Sequence, residues 1–211
     1  MSKYKCIIFD CDGVLVDSEP ISNGVLVDMA NSYGANIDLK YALKHFKGGT
    51  IKRVKASIEG LIEEELPVSF EADYRALSYQ AFKEKVTPVS GIKEVLESLE
   101  IPYCVASSGP VPKIKLNLEL TGLFSFFGQN IFSCYTIEKW KPDPAIFTLA
   151  AKTMGFSNSE CLVIEDSITG VQAAINGGFD VFGYTAHDYN NELSEKCTNT
   201  FSDMRDLIRL L

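Results

Sequence analysis

Four short segments of this 211-residue chain carry side chains whose types and spacing could do chemistry. Asp10 and Asp12 stand two residues apart, directly after the apolar run at 5–9, and Gly13 follows them. Carboxylates that close repel one another unless a cation lies between them or one is protonated, so the pair suggests a metal site with oxygen ligands. A second acidic pair, Glu165 and Asp166, ends the apolar run at 161–165. Two acidic strand ends in one parallel sheet would share a divalent cation, for which Mg²⁺ is the natural hard-oxygen choice. Ser107, Ser108 and Gly109 end a third run just ahead of a helical pattern, where hydroxyls and amides at a helix start could cradle a phosphate. Lys141 is stiffened by Pro142 and Pro144 and offers a cation able to neutralise a carboxylate and a phosphoryl group together. Taken singly, each segment has a plainer reading: an Asp-Gly surface turn, a helix cap at Asp166 or Ser167, a serine cap, a solvated lysine.

The elements that must position these groups follow from hydrophobic pattern. Short β-rich runs at 5–9, 102–106, 130–134, 161–165 and 180–184 read as buried parallel strands. Helical patterns lie between them at 91–99, 111–121, 144–154 and 168–176, the last three ended by Gly122, Gly155 and Gly177. The alternation predicts a doubly wound α/β sheet, which binds ligands at the carboxyl ends of its strands, where all four segments fall. Residues 17–88 break the alternation with helical patterns near 20–33, 38–45, 51–59 and 69–85 and no strand. Pro20 opens the first of these, Gly34 closes it, and Gly60 is expected to close the third. The chain is therefore divided into a core at 1–16 and 89–211 and a small all-helical insertion at 17–88, whose two linkers would make a hinge.

Composition narrows the function. With 46% apolar and 23% charged residues, the chain can bury a sizeable core. A net charge of −8 without a basic cluster argues against nucleic acid, and the lack of a long apolar run or signal-peptide pattern argues against a membrane and for a cytoplasmic location. A monomer is the expectation, although the sequence leaves the oligomeric state open. Cys6, Cys11, Cys104, Cys134, Cys161 and Cys197 lack zinc-site spacing and are expected as reduced, mostly buried thiols. Trp140 reads as packing, and neither His45 nor His187 has metal-ligand spacing.

Together and in this order, the segments Asp10 to Ser18, Ser107, Lys141 with Pro142 and Pro144, and Glu165-Asp166 resemble the four motifs of the haloacid dehalogenase superfamily. The resemblance spans the chain. It points to phosphatases and phosphomutases with a helical cap after the first strand, in the β-phosphoglucomutase-like branch and near bacterial 6-phosphogluconate phosphatases. It implies a Rossmann-like core, Asp10 as nucleophile forming an aspartyl phosphate, and Asp12 as acid and then base. It implies Mg²⁺ held by Asp10, the Asp12 carbonyl and Asp166 with Glu165, while Ser107 and Lys141 hold the phosphoryl group and Ser108 and Gly109 line its site. Phe46 to Thr50 resembles the cap specificity loop, which makes Lys47 and Gly48 substrate contacts. Where mutases of the branch carry a histidine and a phosphate-gripping arginine, this chain has Ser22 and Ile51. The expected activity is hydrolysis of a small phosphorylated metabolite, a sugar phosphate or sugar-acid phosphate such as 6-phosphogluconate. A phosphosugar mutase and a non-catalytic phosphometabolite-binding protein are the alternatives.

Overall fold

The computed structural model describes residues 3–46, 49–62, 64–188 and 191–211, so Lys47 and Gly48 lie outside the described residues. The chain divides into two compact units, residues 1–17 with 87–211, and residues 18–86.

The first unit is built on six parallel strands: β1 (Cys6–Phe9), β2 (Tyr103–Ser107), β3 (Ile131–Ser133), β4 (Cys161–Glu165), β5 (Asp180–Tyr184) and β6 (Asn199–Phe201). Their spatial order is β3-β2-β1-β4-β5-β6, so β1 lies between β2 and β4, and the chain reverses its winding beside it. Register pairs Phe9 with both Val105 and Ile164, which brings the ends of β1, β2 and β4 level. Alternation along the strands divides the core. Cys6, Ile8, Cys104, Ala106, Cys161 and Val163 pack with α9 (Ala145–Met154) and α10 (Ile168–Asn176) through Ile146, Phe147, Ala150, Val171 and Ala174. On the opposite face Phe9 and Tyr103 meet Phe127 edge to face. Each large side chain removed fully from water contributes about 1.5–3 kcal/mol, so the acidic strand ends stand on a stiff platform.

The second unit is helical: α1 (Glu19–Ser32), α2 (Leu39–His45), α3 (Ile51–Ile62) and α4 (Phe70–Lys85). Leu26, Met29, Ala30, Ala42, Phe46, Val54, Ile58, Leu66 and Phe70 form a core of its own. Asp38 caps α2 by accepting the Tyr41 N–H, and Asn31 closes the preceding loop by bonding both the N–H and the C=O of Ile37.

Several boundaries depart from the sequence reading. Gly60 does not close α3, which runs on to Ile62; a glycine facing open space is tolerated within a helix. The third strand ends at Ser133, whose hydroxyl accepts the Tyr135 N–H and starts α8 (Cys134–Ile137) in place of a fifth strand residue. Beyond α5 (Ile92–Ser98) and α6 (Val111–Leu120), the four-residue helices α7 (Phe124–Phe127) and α11 (Leu207–Leu210) and strand β6 are additions. All six cysteines are free thiols, five of them buried. No helix among the described residues is long and apolar enough to cross a membrane.

Candidate active site

The turn after β1 is fixed by its own backbone. The Asp10 N–H continues the ladder to the Ile164 carbonyl, and the Gly13 N–H donates to the Val16 carbonyl. Gly13 has φ of +79°, and a methyl group there would lie 2.2 Å from Asp166 Oδ2. Only glycine meets both demands, the left-handed backbone and the close approach of the carboxylate from β4.

Lys141 enters from the segment between α8 and α9, its peptide bond to Pro142 cis. Its side chain is 4% exposed and its ammonium donates to Asp10 Oδ1 at 2.6 Å, Glu165 Oε1 at 2.6 Å and the Ala106 carbonyl at 3.1 Å. The Phe147 ring lies beneath it, 4.7 Å from centroid to nitrogen. Burial alone would lower the lysine pKa, but Asp10 and Glu165 outweigh it and raise the value, so Lys141 is charged. Burial, with Glu165 and Asp166 nearby, works against ionisation of Asp10, and the Lys141 ammonium at 2.6 Å opposes it and holds the carboxylate form.

Glu165 is fully buried and well supplied with donors. Its Oε2 accepts the N–H groups of Asp166 and Ser167 at 3.1 Å each and the Ser167 hydroxyl at 2.9 Å, while Oε1 takes Lys141. This arrangement depends on Gly170, where a Cβ would fall 1.9 Å from the Glu165 carboxyl carbon. Ser167 is the cap of α10, since its Oγ accepts the Gly170 N–H. Asp166, buried at 4% exposure, is not that cap. Asp10, Glu165 and Asp166 each offer an oxygen, and these lie within 4.8 Å of one another. Buried hard-oxygen donors converging this closely suit a divalent cation of the Mg²⁺ type.

Ser107 ends β2 and is 1% exposed; its Oγ accepts the Gly109 N–H at 3.0 Å. Ser108 and Gly109 are half-buried beside it, and Ser133 Oγ donates to the Gly109 carbonyl at 2.6 Å. The helix start after them is poorer in donors than expected, because Pro110 and Pro112 have no N–H and the Gly109 amide is already engaged. The Asp12 side chain, 15% exposed, points to a partner that sequence reasoning missed, Lys113 in the first turn of α6, at 2.8 Å. Its signal in the sequence was only a lysine six residues after Ser107. Trp140 packs against the core cluster and edge-on to Tyr135. Asp10, Asp12, Ser107, Lys141, Glu165 and Asp166 are thus gathered at one sheet edge.

Known proteins resemble this chain over its whole length. The 6-phosphogluconate phosphatase of Escherichia coli K12 is 32% identical over 212 residues, covering all of this chain and 96% of that protein. The crystal structure of a haloacid dehalogenase-like protein of unknown function from Agrobacterium tumefaciens C58 superposes with a TM-score of 0.89 at 29% identity, over 98% of this chain and 97% of that one. A haloacid dehalogenase family hydrolase from Deinococcus radiodurans R1, solved with bound phosphate and sodium, gives 0.80 at 26%, over 98% and 94%. A family model of haloacid dehalogenase-like hydrolases matches residues 4–178. The chain belongs to the haloacid dehalogenase-like hydrolase family and is an enzyme of its phosphatase class.

Proposed function

We propose that this enzyme hydrolyses the phosphomonoester of a sugar or sugar acid, with 6-phosphogluconate the leading candidate, by an Mg²⁺-dependent route through an aspartyl phosphate on Asp10. One observation carries the reading: Lys141, buried, bridges Asp10 and Glu165 beside Asp166 at the carboxyl edge of a parallel sheet. Support for the substrate class comes from the E. coli relative, named for 6-phosphogluconate.

A carboxylate oxygen of Asp10 attacks phosphorus in line while the ester P–O bond breaks, and Asp12 gives its proton to the departing oxygen. Asp12 then takes a proton from water, whose oxygen attacks the phosphorus of the aspartyl phosphate. The P–O bond to Asp10 breaks, inorganic phosphate leaves, and both aspartates are restored. Ser107, whose oxygen already accepts from Gly109, donates its hydroxyl hydrogen to a phosphoryl oxygen, and Lys141 supplies a charge fixed before substrate arrives. Asp10, Asp166 and the Asp12 carbonyl would hold Mg²⁺, with Glu165 completing the negative set. The ion would offset repulsion between carboxylates and the phosphate dianion. Lys47 and Gly48 are proposed as substrate contacts.

The test is phosphate release from a panel of sugar phosphates, sugar-acid phosphates and short alcohol phosphates, with Mg²⁺ and after chelation. Steady release that requires Mg²⁺ and disappears in Asp10→Asn is the expected result. Near-normal turnover by Asp10→Asn would sink the covalent route, and bisphosphate-dependent isomerisation without release would make the enzyme a mutase.

A further inference from the structure

Lys113 stands where helix energetics disfavour it. It is the third residue of α6, in the first turn, where the positive end of the helix dipole favours an acidic residue. No carboxylate of that turn answers it, and its stem passes over Gly109, with Cδ 3.5 Å from where a glycine Cβ would be. The ammonium instead reaches across to Asp12 Oδ2 at 2.8 Å, a partner 101 residues distant in sequence, and both side chains are largely buried. Asp12 Oδ2 in turn lies 3.7 Å from that same Gly109 Cβ position, so the carboxylate faces the Ser107–Gly109 wall.

We propose that Lys113 is a positioning residue that fixes which way the Asp12 carboxylate faces, so that Asp12 serves the leaving oxygen of the ester. This rests on Asp12 being the acid. A carboxyl group on the short turn after β1 can rotate about two torsions, and the bond from Lys113 to Oδ2 removes much of that freedom, leaving Oδ1 as the oxygen that carries and delivers the proton. The lysine touches neither phosphorus nor the ester in this account; it acts through Asp12.

The experiment separates proton delivery from phosphate binding by changing only the leaving group. Benzyl phosphate releases an alkoxide, which needs a proton, whereas p-nitrophenyl phosphate releases a stabilised phenolate, which does not. The readout is the ratio of kcat/KM for the two substrates, a quantity that reports the phosphorylation half-reaction, in wild type, Lys113→Met, Lys113→Arg and Asp12→Asn. In Lys113→Met the benzyl to p-nitrophenyl ratio is expected to fall about tenfold or more, since positioned proton transfer contributes roughly 10²–10⁴-fold, and Lys113→Arg is expected to recover most of it. If Asp12→Asn depresses the ratio and Lys113→Met leaves it at the wild-type value, or lowers both substrates by one factor, the positioning role is overturned and the acid stands. If Asp12→Asn itself leaves the ratio unchanged, Asp12 is not the acid and both readings fall.

Discussion

Gly170 shows how tightly the chemistry of this site is tied to single atoms. In an ordinary helix, alanine is favoured over glycine by about 1 kcal/mol. Here the added methyl would occupy the place of the Glu165 carboxyl group, which holds Lys141 and three donors of the β4–α10 turn. Overpacking costs about 1–3 kcal/mol, and displacing a buried carboxylate from its donors adds to that. Gly170→Ala is therefore expected to destabilise the protein by about 2 kcal/mol or more in urea unfolding, opposite in sign to helix propensity. It should also depress phosphatase activity by misplacing Lys141. Much of this scale was legible in advance, because Asp10, Asp12, Ser107, Glu165 and Asp166 stand at or just past the ends of apolar strands that a parallel sheet must align, and Lys141 was marked by the prolines that follow it. Lys113 and Gly170 were not, since a lone lysine and a glycine in a helical pattern acquire meaning only when a distant carboxylate packs against them.

Short local devices hold the strands that carry the site. Ahead of β4, Ser157 and Glu160 form a reciprocal cap over a single turn, and Lys5 ahead of β1 donates to Glu160 Oε1 at 2.6 Å. The Lys5 N–H also bonds the Glu160 carbonyl, so the two strands are clipped together at their entry. Lys5 first, then the Ser157 N–H and hydroxyl, lower the Glu160 pKa from 4.5 to about 2. A depressed carboxylate pKa stabilises the fold above the unfolded value and ceases to do so as pH falls through the folded one. Glu160→Gln is accordingly expected to melt below wild type at pH 7, with the gap narrowing below pH 4.5 and closing toward pH 2, as thermal unfolding across that range would record. The pattern of apolar runs exposed five of the six strands, while β6, three residues with one buried phenylalanine at a sheet edge, offers no run to detect. Helices α7, α8 and α11 have four residues each, too few for a 3.6-residue period to appear.

At the scale of the whole molecule, the helical unit is joined to the sheet unit by two chain crossings that run side by side. Val16 pairs antiparallel with Pro88, the Asp17 N–H donates to the Thr87 carbonyl at 2.9 Å, and the Val89 N–H donates to the Leu15 carbonyl. Chain ends already bonded to each other can be closed by a short loop at little entropic cost. Replacing residues 18–86 by a short Gly-Ser loop is expected to leave a cooperatively unfolding α/β protein, measurable by circular dichroism and thermal melting; a chain that fails to fold would show that the sheet unit needs its insertion. The paired crossings also confine what an exchange of the helical unit must rewrite. A different insertion can enter through one narrow doorway while the acid-bearing strands keep their register, so either unit can be altered without redrawing the other.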